Sequence, residues 1–284
     1  MSKITKSRQV EQIFRGQETS DGAGVKLTRL LSSNLQRRLD PFLMLDSFGS
    51  DNPDDYIAGF PNHPHRGFET VTYMIEGRML HRDSKGNEGL LENGGVQWMT
   101  AGRGLIHSEI PQQEDGMMRG FQLWLNLSAQ DKMIDPWYQD YQNLDLPKYG
   151  SAEEGVQVTV IAGQSHGTKG AVQREKTEPI YLDVTIAAGQ HFDAQIPASH
   201  NAFIVVYEGG LEANGSQVTA TQLALLTNDP AADGISLKAT EDCRVLVIAG
   251  KPLNEPIFQH GPFVMNTKDE IIQAFNDYQA GLFA

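Results

Sequence analysis

Short apolar runs that end in turn-forming residues recur along this chain, and they restrict its fold more than any other feature. The clearest lie at residues 68–75, 156–161, 180–186, 203–207 and 245–248. They are rich in β-branched and aromatic residues, and Gly, Asn or Asp separates them at short spacing. Many short strands with frequent turns are typical of sandwiches and barrels rather than βαβ units. We therefore predict an all-β protein.

The two halves of the chain carry a similar pattern, which indicates a duplicated fold. The segment TYMIEG at 72–77 corresponds to IVVYEG at 204–209, and a polar turn follows each. Their Glu-Gly pairs lie 132 residues apart, about the length of one small β-barrel. We predict one barrel over residues 1–148 and a second over 149–284.

Two further segments complete this organisation. The polar, Gly-rich stretch at residues 150–155 is predicted to link the two halves. Near the end of the chain, Thr267 and Glu270 have the spacing of a helix capping box. An apolar stripe follows and Gly281 suits the helix end, so a C-terminal helix docked on a sheet is expected.

Composition excludes several classes of function. The formal net charge of −13 disfavours direct contact with nucleic acid, which usually requires a basic field. The apolar runs are far shorter than the roughly 20 residues of a bilayer span, and the N-terminus has no hydrophobic signal core. The lone Cys243 cannot form an internal disulfide, and we expect a buried, inert thiol. These features favour a cytoplasmic protein without membrane contact.

Two short segments carry the residues suited to chemistry. Residues i and i+2 of an extended chain share a face, so His63 and His65 point together, as do His107 and Glu109. If the two segments form neighbouring strands, three imidazoles and a carboxylate meet at one point. That ligand set suits a divalent transition metal, although Fe, Mn, Ni and Cu all tolerate it. With no cysteine nearby, an open functional site is favoured over a closed structural zinc site.

These segments and three others closely resemble the pirins, a family of the cupin superfamily. The similar sequences are LDPFLMLDSFG at 39–49, HPHRGFETVTY at 63–73, TAGRGLIHSE at 100–109, QLWLN at 122–126 and GPFVMN at 261–266. The resemblance runs from about residue 24 to the C-terminal helix. It implies a bicupin, two jelly-roll β-barrels with one metal in the N-terminal barrel and none in the C-terminal one.

By this resemblance, the metal ligands would be His63, His65, His107 and Glu109. Iron as Fe(II) is the expected ion, with Mn, Ni, Cu or Zn as alternatives. Many cupins instead take the carboxylate from the residue four positions after the second histidine, which is Glu69 here. Glu109 is our expectation and Glu69 the alternative. His81 could line the same cavity, although a structural role is the simpler expectation.

The resemblance also implies an activity. Some pirins act as quercetin 2,3-dioxygenases, which open a flavonol ring with O₂ and release CO, and Glu109 would accept the proton of the 3-hydroxyl. Small aromatic, enolisable substrates are therefore expected, and Phe60, Phe68, Met99, Phe121 and Trp124 are candidates for the pocket wall. Other pirins are described as regulators that bind proteins. The alternative hypothesis is thus a metal-binding regulatory protein that acts through a protein partner.

Overall fold

The computed structural model describes residues 4–151, 153 and 155–283 of the chain. Strands dominate it, as predicted. Up to residue 143 the strands are β1 Val10–Arg15, β2 Gln17–Asp21, β3 Val25–Leu31, β4 Phe42–Ser50, β5 Phe60–His65, β6 Phe68–Glu76, β7 Met79–Asp83, β8 Glu88–Leu91, β9 Val96–Thr100, β10 Leu105–Pro111, β11 Met118–Asn126 and β12 Trp137–Tyr141. A single 3₁₀ turn, Pro53–Asp55, separates β4 from β5.

The remaining elements lie after residue 147. The strands are β13 Lys148–Ser151, β14 Val156–Ala162, β15 Gln164–Ser165, β16 Thr168–Lys169, β17 Ile180–Ile186, β18 His191–Gln195, β19 Asn201–Glu208, β20 Gly210–Ala213, β21 Ser216–Thr219, β22 Gln222–Leu226, β23 Gly234–Ala239, β24 Cys243–Gly250, β25 Phe258–His260 and β26 Phe263–Met265. One α-helix, α1 Lys268–Gln279, follows within the described residues. None of the described helices combines the length and the apolar character of a membrane span.

The strand order confirms the duplicated all-β fold. One seven-stranded sheet runs β12-β9-β6-β11-β4-β3-β2 and is accompanied by a four-stranded sheet β5-β10-β7-β8. The other seven-stranded sheet runs β1-β22-β19-β24-β17-β14-β13, with the four-stranded sheet β18-β23-β20-β21. The two orders match strand for strand. Strands β6 and β19, which end at the predicted Glu-Gly pairs, occupy equivalent positions, and Gly77 and Gly209 both have positive φ.

The chain divides into two compact units. The N-terminal segment belongs to the unit built mainly from the second half of the chain, and the C-terminal segment belongs to the unit built mainly from the first half. The unit that contains the paired histidines comprises Gln17–Arg37, Phe42–Asn143 and Leu253–Ala284, and we call it the histidine unit. The companion unit comprises Met1–Gly16, Arg38–Pro41 and Leu144–Pro252. The units therefore do not follow a single division at residue 148.

Strand pairing gives the physical reason for these bounds. Strand β1 pairs with β22 and completes the sheet of the companion unit, whereas α1 contacts β25 and β26 in the histidine unit.

The predicted linker at residues 150–155 is wrong. Ser151 pairs with Val156, so this stretch is the turn of the β13–β14 hairpin. Two of its residues, 152 and 154, lie outside the described ones.

Buried apolar side chains at every second position along the strands build a separate core in each unit. In the companion unit, Val245 and Val247 of β24 pack with Ile204 and Val206 of β19 in one cluster of fully buried side chains. Cys243 belongs to the same cluster and is 1% exposed, as expected for a buried thiol. Such alternation places one face of every strand in the core and thereby fixes the register of the sheets.

The C-terminal helix begins with the predicted capping box. The Thr267 hydroxyl accepts from the Glu270 amide at 3.2 Å, and the Glu270 carboxylate accepts from the Thr267 amide at 2.8 Å. Gly281 follows the helix at φ +70°, the conformation expected at this end. Ile271 is buried, whereas its neighbour Ile272 is 49% exposed.

Candidate metal centre

The pairing of two strands brings the predicted histidines together. Strands β5 and β10 are antiparallel neighbours in which His63 lies directly opposite His107 and His65 opposite Leu105. The ring centroids of His63 lie 4.7 Å from His65 and 4.3 Å from His107, and His65 lies 4.9 Å from His107. One nitrogen from each ring can be chosen so that all three atoms lie within 4.8 Å of one another. Among the described residues, this is the cluster of three such side chains that could hold a metal ion.

The unpartnered nitrogens of these rings fit a bound metal. Nδ1 of His63 lies 2.8 Å from the Pro61 carbonyl oxygen, which can only accept, so Nδ1 is the donor there and Nε2 is the nitrogen left for a metal. His65 bonds the backbone of Pro262, and its Nδ1 is buried without a hydrogen-bond partner. Nε2 of His107 is likewise buried and unpartnered. Buried polar atoms are rarely left unpaired, and a shared metal ion would satisfy these nitrogens.

Burial keeps the two inner rings neutral, which a metal ligand requires. His65 and His107 are 3% and 0% exposed. Burial lowers the pKa of both histidines well below the ordinary value, and the neighbouring rings lower it further. His63 is only partly buried and lies on the wall of the cavity described below.

The structure places the two candidate carboxylates on different surfaces. Glu109, on β10 two positions after His107, is 4% exposed and lines the same cavity as His63. Burial raises the pKa of Glu109, and the neighbouring His63 opposes that shift. Glu69 lies on β6 with opposite parity to Thr72, a cavity residue, so it faces the other side of the sheet. Its carboxylate accepts from the Thr100 hydroxyl at 2.7 Å.

Two residues that the sequence analysis missed hold the Glu109 side chain. The Thr72 hydroxyl lies 3.0 Å from Oε1 of Glu109, and the Gln122 amide donates to Oε2 at 3.4 Å. The same hydroxyl lies 2.5 Å from Oε1 of Gln122, so its single proton serves one of the two acceptors at a time. These contacts link the four-stranded and seven-stranded sheets of the histidine unit across the site.

Thr72 and Gln122 belong to a polar row that crosses the inner face of the seven-stranded sheet. Arg29 of β3 pairs with Asp46 of β4, Asp46 with Gln122 of β11, and Gln122 with Thr72 of β6. Residues directly opposite each other on neighbouring strands share a face, so all four side chains face the cavity. Arg29 donates to both oxygens of Asp46, at 2.9 and 2.7 Å. The available signal was a polar residue between apolar residues of the same strand face, as with Arg29 between Leu27 and Leu31 and Asp46 between Met44 and Phe48.

A cavity of about 850 Å³ opens beside the histidines. Two of the five apolar residues predicted for its wall, Phe60 and Trp124, do line it, whereas Phe68, Met99 and Phe121 do not and are fully buried. The ring of Phe68 packs behind the wall, with its centroid 4.3 Å from that of Trp124 and 5.1 Å from that of His65. The volume lies within the range of about 300–1,000 Å³ that is usual for small-molecule sites.

The segment after His65 is fixed by close backbone packing. Gly67 has φ +87°, and a Cβ there would lie 2.0 Å from the Val264 carbonyl oxygen. Arg66 lies between His65 and Gly67 in the sequence. Its guanidinium donates to the Arg103 carbonyl at 2.6 Å and to the Asp277 carboxylate of α1 at 2.7 Å. The C-terminal helix is therefore hydrogen-bonded to the residue next to His65.

Comparison with known proteins identifies the family. The Pirin family model matches residues 24–125, and the model for the Pirin C-terminal cupin domain matches residues 181–284. The chain belongs to the pirin family. The cupin architecture and the duplication predicted from the sequence are thereby confirmed.

Individual relatives and solved structures are similar over most of the chain. A Pseudomonas aeruginosa protein provisionally named quercetin 2,3-dioxygenase is 50% identical over 288 residues, covering 99% of this chain and 100% of its own. The crystal structure of quercetin 2,3-dioxygenase from Acinetobacter baumannii has a TM-score of 0.92 at 35% identity and covers 98% of this chain and 99% of its own. The Escherichia coli pirin YhhW, solved in complex with nickel(II), has a TM-score of 0.63 at 20% identity, with coverage of 85% and 100%.

Proposed function

We propose that this pirin is a metal-dependent dioxygenase that opens the ring of a flavonol such as quercetin with O₂ and releases CO. The observation that carries the proposal is the convergence of three histidines, two of them with buried and unpartnered nitrogens, beside a cavity of about 850 Å³. The names of similar pirins support the same activity. The cytoplasmic location predicted from the sequence belongs to this proposal.

We assign the metal to His63, His65, His107 and Glu109, with Fe(II) as the expected ion. When bound, such an ion supplies positive charge that stabilises an enolate oxygen and leaves coordination positions open. Glu109 rather than Glu69 completes the set, because Glu109 lines the cavity next to His63 whereas Glu69 faces the opposite side of its strand.

The cavity wall suits a planar aromatic molecule that carries hydroxyl groups. Trp124 and Phe60 provide apolar surface for the ring faces. Arg29, Asp46 and Gln122 provide donors and acceptors on the sheet wall. This combination of an apolar lining and a few polar groups is usual for sites that orient small ligands.

Glu109 is the residue placed to take the proton of the substrate hydroxyl. Its side chain lines the same cavity as His63 and His65, and Thr72 and Gln122 contact its carboxylate from the facing sheet. A general base requires this positioning first and a suitable pKa second. Loss of the proton converts the flavonol into the enolate that reacts with O₂.

The test is the aerobic loss of quercetin absorbance together with CO release. Fe(II)-loaded protein should deplete quercetin in proportion to bound metal and form CO, and His63→Ala should do neither. The matched control His260→Ala changes an exposed histidine and should keep the activity. A flavone without the 3-hydroxyl should not react. Stoichiometric metal with no depletion would refute the proposed activity and favour the regulatory alternative.

A further inference from the structure

His81 is a buried histidine that the proposed reaction does not use. It lies on β7, beside β10, and is 2% exposed. Its Nδ1 lies 3.3 Å from Nδ1 of His107, and the two ring centroids are 4.9 Å apart. The ring of Tyr138 packs against it at 5.0 Å.

The tautomers of the two rings determine which of them donates the hydrogen bond. Two facing Nδ1 atoms can share a hydrogen bond only if one ring donates and the other accepts. Nε2 of His107 has no hydrogen-bond partner, and in the proposed metal site its lone pair would bind the ion, which would leave the ring proton on Nδ1. His107 is therefore the donor. His81 would then be the acceptor and carry its own proton on Nε2, a buried nitrogen for which the described residues offer no hydrogen-bond partner.

We propose that His81 is the residue that positions His107 for metal binding, an inference that rests on the metal site of the proposed function. His81 accepts a hydrogen bond from the Nδ1–H group of His107, and this bond fixes both the tautomer and the ring orientation of His107. The neighbouring rings support the interpretation, since His63 and His65 bond the backbone of Pro61 and Pro262. Each of the three rings thus has an acceptor behind it. For His107 that acceptor is a side chain, which mutation can remove.

Such partners usually contribute about 10- to 100-fold to metal affinity, because they fix a ligand that would otherwise rotate. A neutral imidazole in this role adds no charge to the site. A carboxylate at the same position would add a second negative charge close to Glu109, which lies opposite His81 on β10.

The experiment compares two substitutions at this position. His81→Leu keeps an apolar side chain against Tyr138 but cannot accept a hydrogen bond. His81→Asn offers its amide oxygen near the position of Nδ1. His191→Leu, an exposed histidine of the companion unit, is the control. The dissociation constant for Ni²⁺ is measured by competition with a chelator, and Cu²⁺-loaded protein is examined by electron paramagnetic resonance.

We expect His81→Leu to weaken Ni²⁺ binding by about 10- to 100-fold and to alter the Cu²⁺ spectrum. His81→Asn should stay within about threefold of the unsubstituted protein, and His191→Leu should match it. Equal affinity in all four proteins would overturn the proposal. Equal weakening in Leu and Asn, with unfolding curves unchanged, would also overturn it, because packing rather than the hydrogen bond would then be responsible. Since no flavonol is used, failure of the proposed activity would not affect these results.

Discussion

Removal of the Asp277 carboxylate should destabilise the histidine unit well beyond an ordinary surface change. Asp277 is 16% exposed and pairs with Arg66, whose side chain is 4% exposed. Loss of one partner from a buried pair costs about 3–5 kcal/mol, because the remaining charge is left without compensation. Arg66 keeps its bond to the Arg103 carbonyl and its position 4.5 Å from the Phe283 ring centroid, and Asp277 is partly hydrated. We therefore expect Asp277→Ala to cost about 2–3 kcal/mol.

Urea unfolding followed by tryptophan fluorescence measures this cost in the right place. All three tryptophans, Trp98, Trp124 and Trp137, belong to the histidine unit. With a slope of about 1–3 kcal/mol per molar urea, the midpoint should fall by roughly 1 M. The matched control is Asp135→Ala, whose partner Arg103 lies at the same 2.7 Å but whose side chains are 81% and 46% exposed. An exposed pair contributes at most about 1 kcal/mol.

The pH dependence supplies a second readout of the same pair. The hydrogen bond from Arg66 lowers the pKa of Asp277. A lowered pKa in the folded state means that the contribution is present above the ordinary carboxyl pKa of about 3.9 and is lost as the pH falls through the folded value. The difference between the unsubstituted protein and Asp277→Ala should therefore shrink below about pH 4. If Asp277→Ala lowers the free energy of unfolding at pH 7 by no more than Asp135→Ala does, the reasoning is refuted.

Three further predictions concern single residues. Gly67→Ala should lower the free energy of unfolding in urea by at least about 2 kcal/mol, because its Cβ would overlap the Val264 carbonyl. Gly86→Ala, with similar φ but open space, should lower it by about 1 kcal/mol. Equal losses in the two variants would contradict the packing argument. Glu109→Gln should weaken metal binding in chelator competition while Glu69→Gln should not, and the reverse result would make Glu69 the ligand. Burial raises the pKa of the Cys243 thiol to about 12, so a thiol reagent at pH 8 should label it only after unfolding, and rapid labelling of the folded protein would exclude this environment.

The sequence predicted which side chains of the candidate site share a face, because that constraint is local. The i, i+2 spacing of His63 and His65, and of His107 and Glu109, sets a shared face wherever the chain is extended. The same spacing argument does not extend to Glu69, because the chain leaves β5 at His65 and turns through Gly67 before β6 begins. Parity counted across such a turn carries no information, so the sequence alone left both carboxylates open.

Non-local features could not be predicted in this way. Nothing within residues 10–15 indicates that β1 completes a sheet with β22, more than 200 positions later. The contacts of Glu109 with Thr72 and Gln122 depend on how two sheets face each other, which strand periodicity does not specify. The helix cap at Thr267 was predicted because both of its partners lie within one turn.

The metal content of the protein tests the central claim most directly. The purified protein is reloaded with Fe(II) without oxygen, separated from free ion, and analysed by mass spectrometry of the element beside His63→Ala and the His260→Ala control. The account predicts close to one ion per chain in the protein and the control, and nearly none in His63→Ala. No bound metal after loading, or full retention in His63→Ala, would contradict a metal centre built on these histidines.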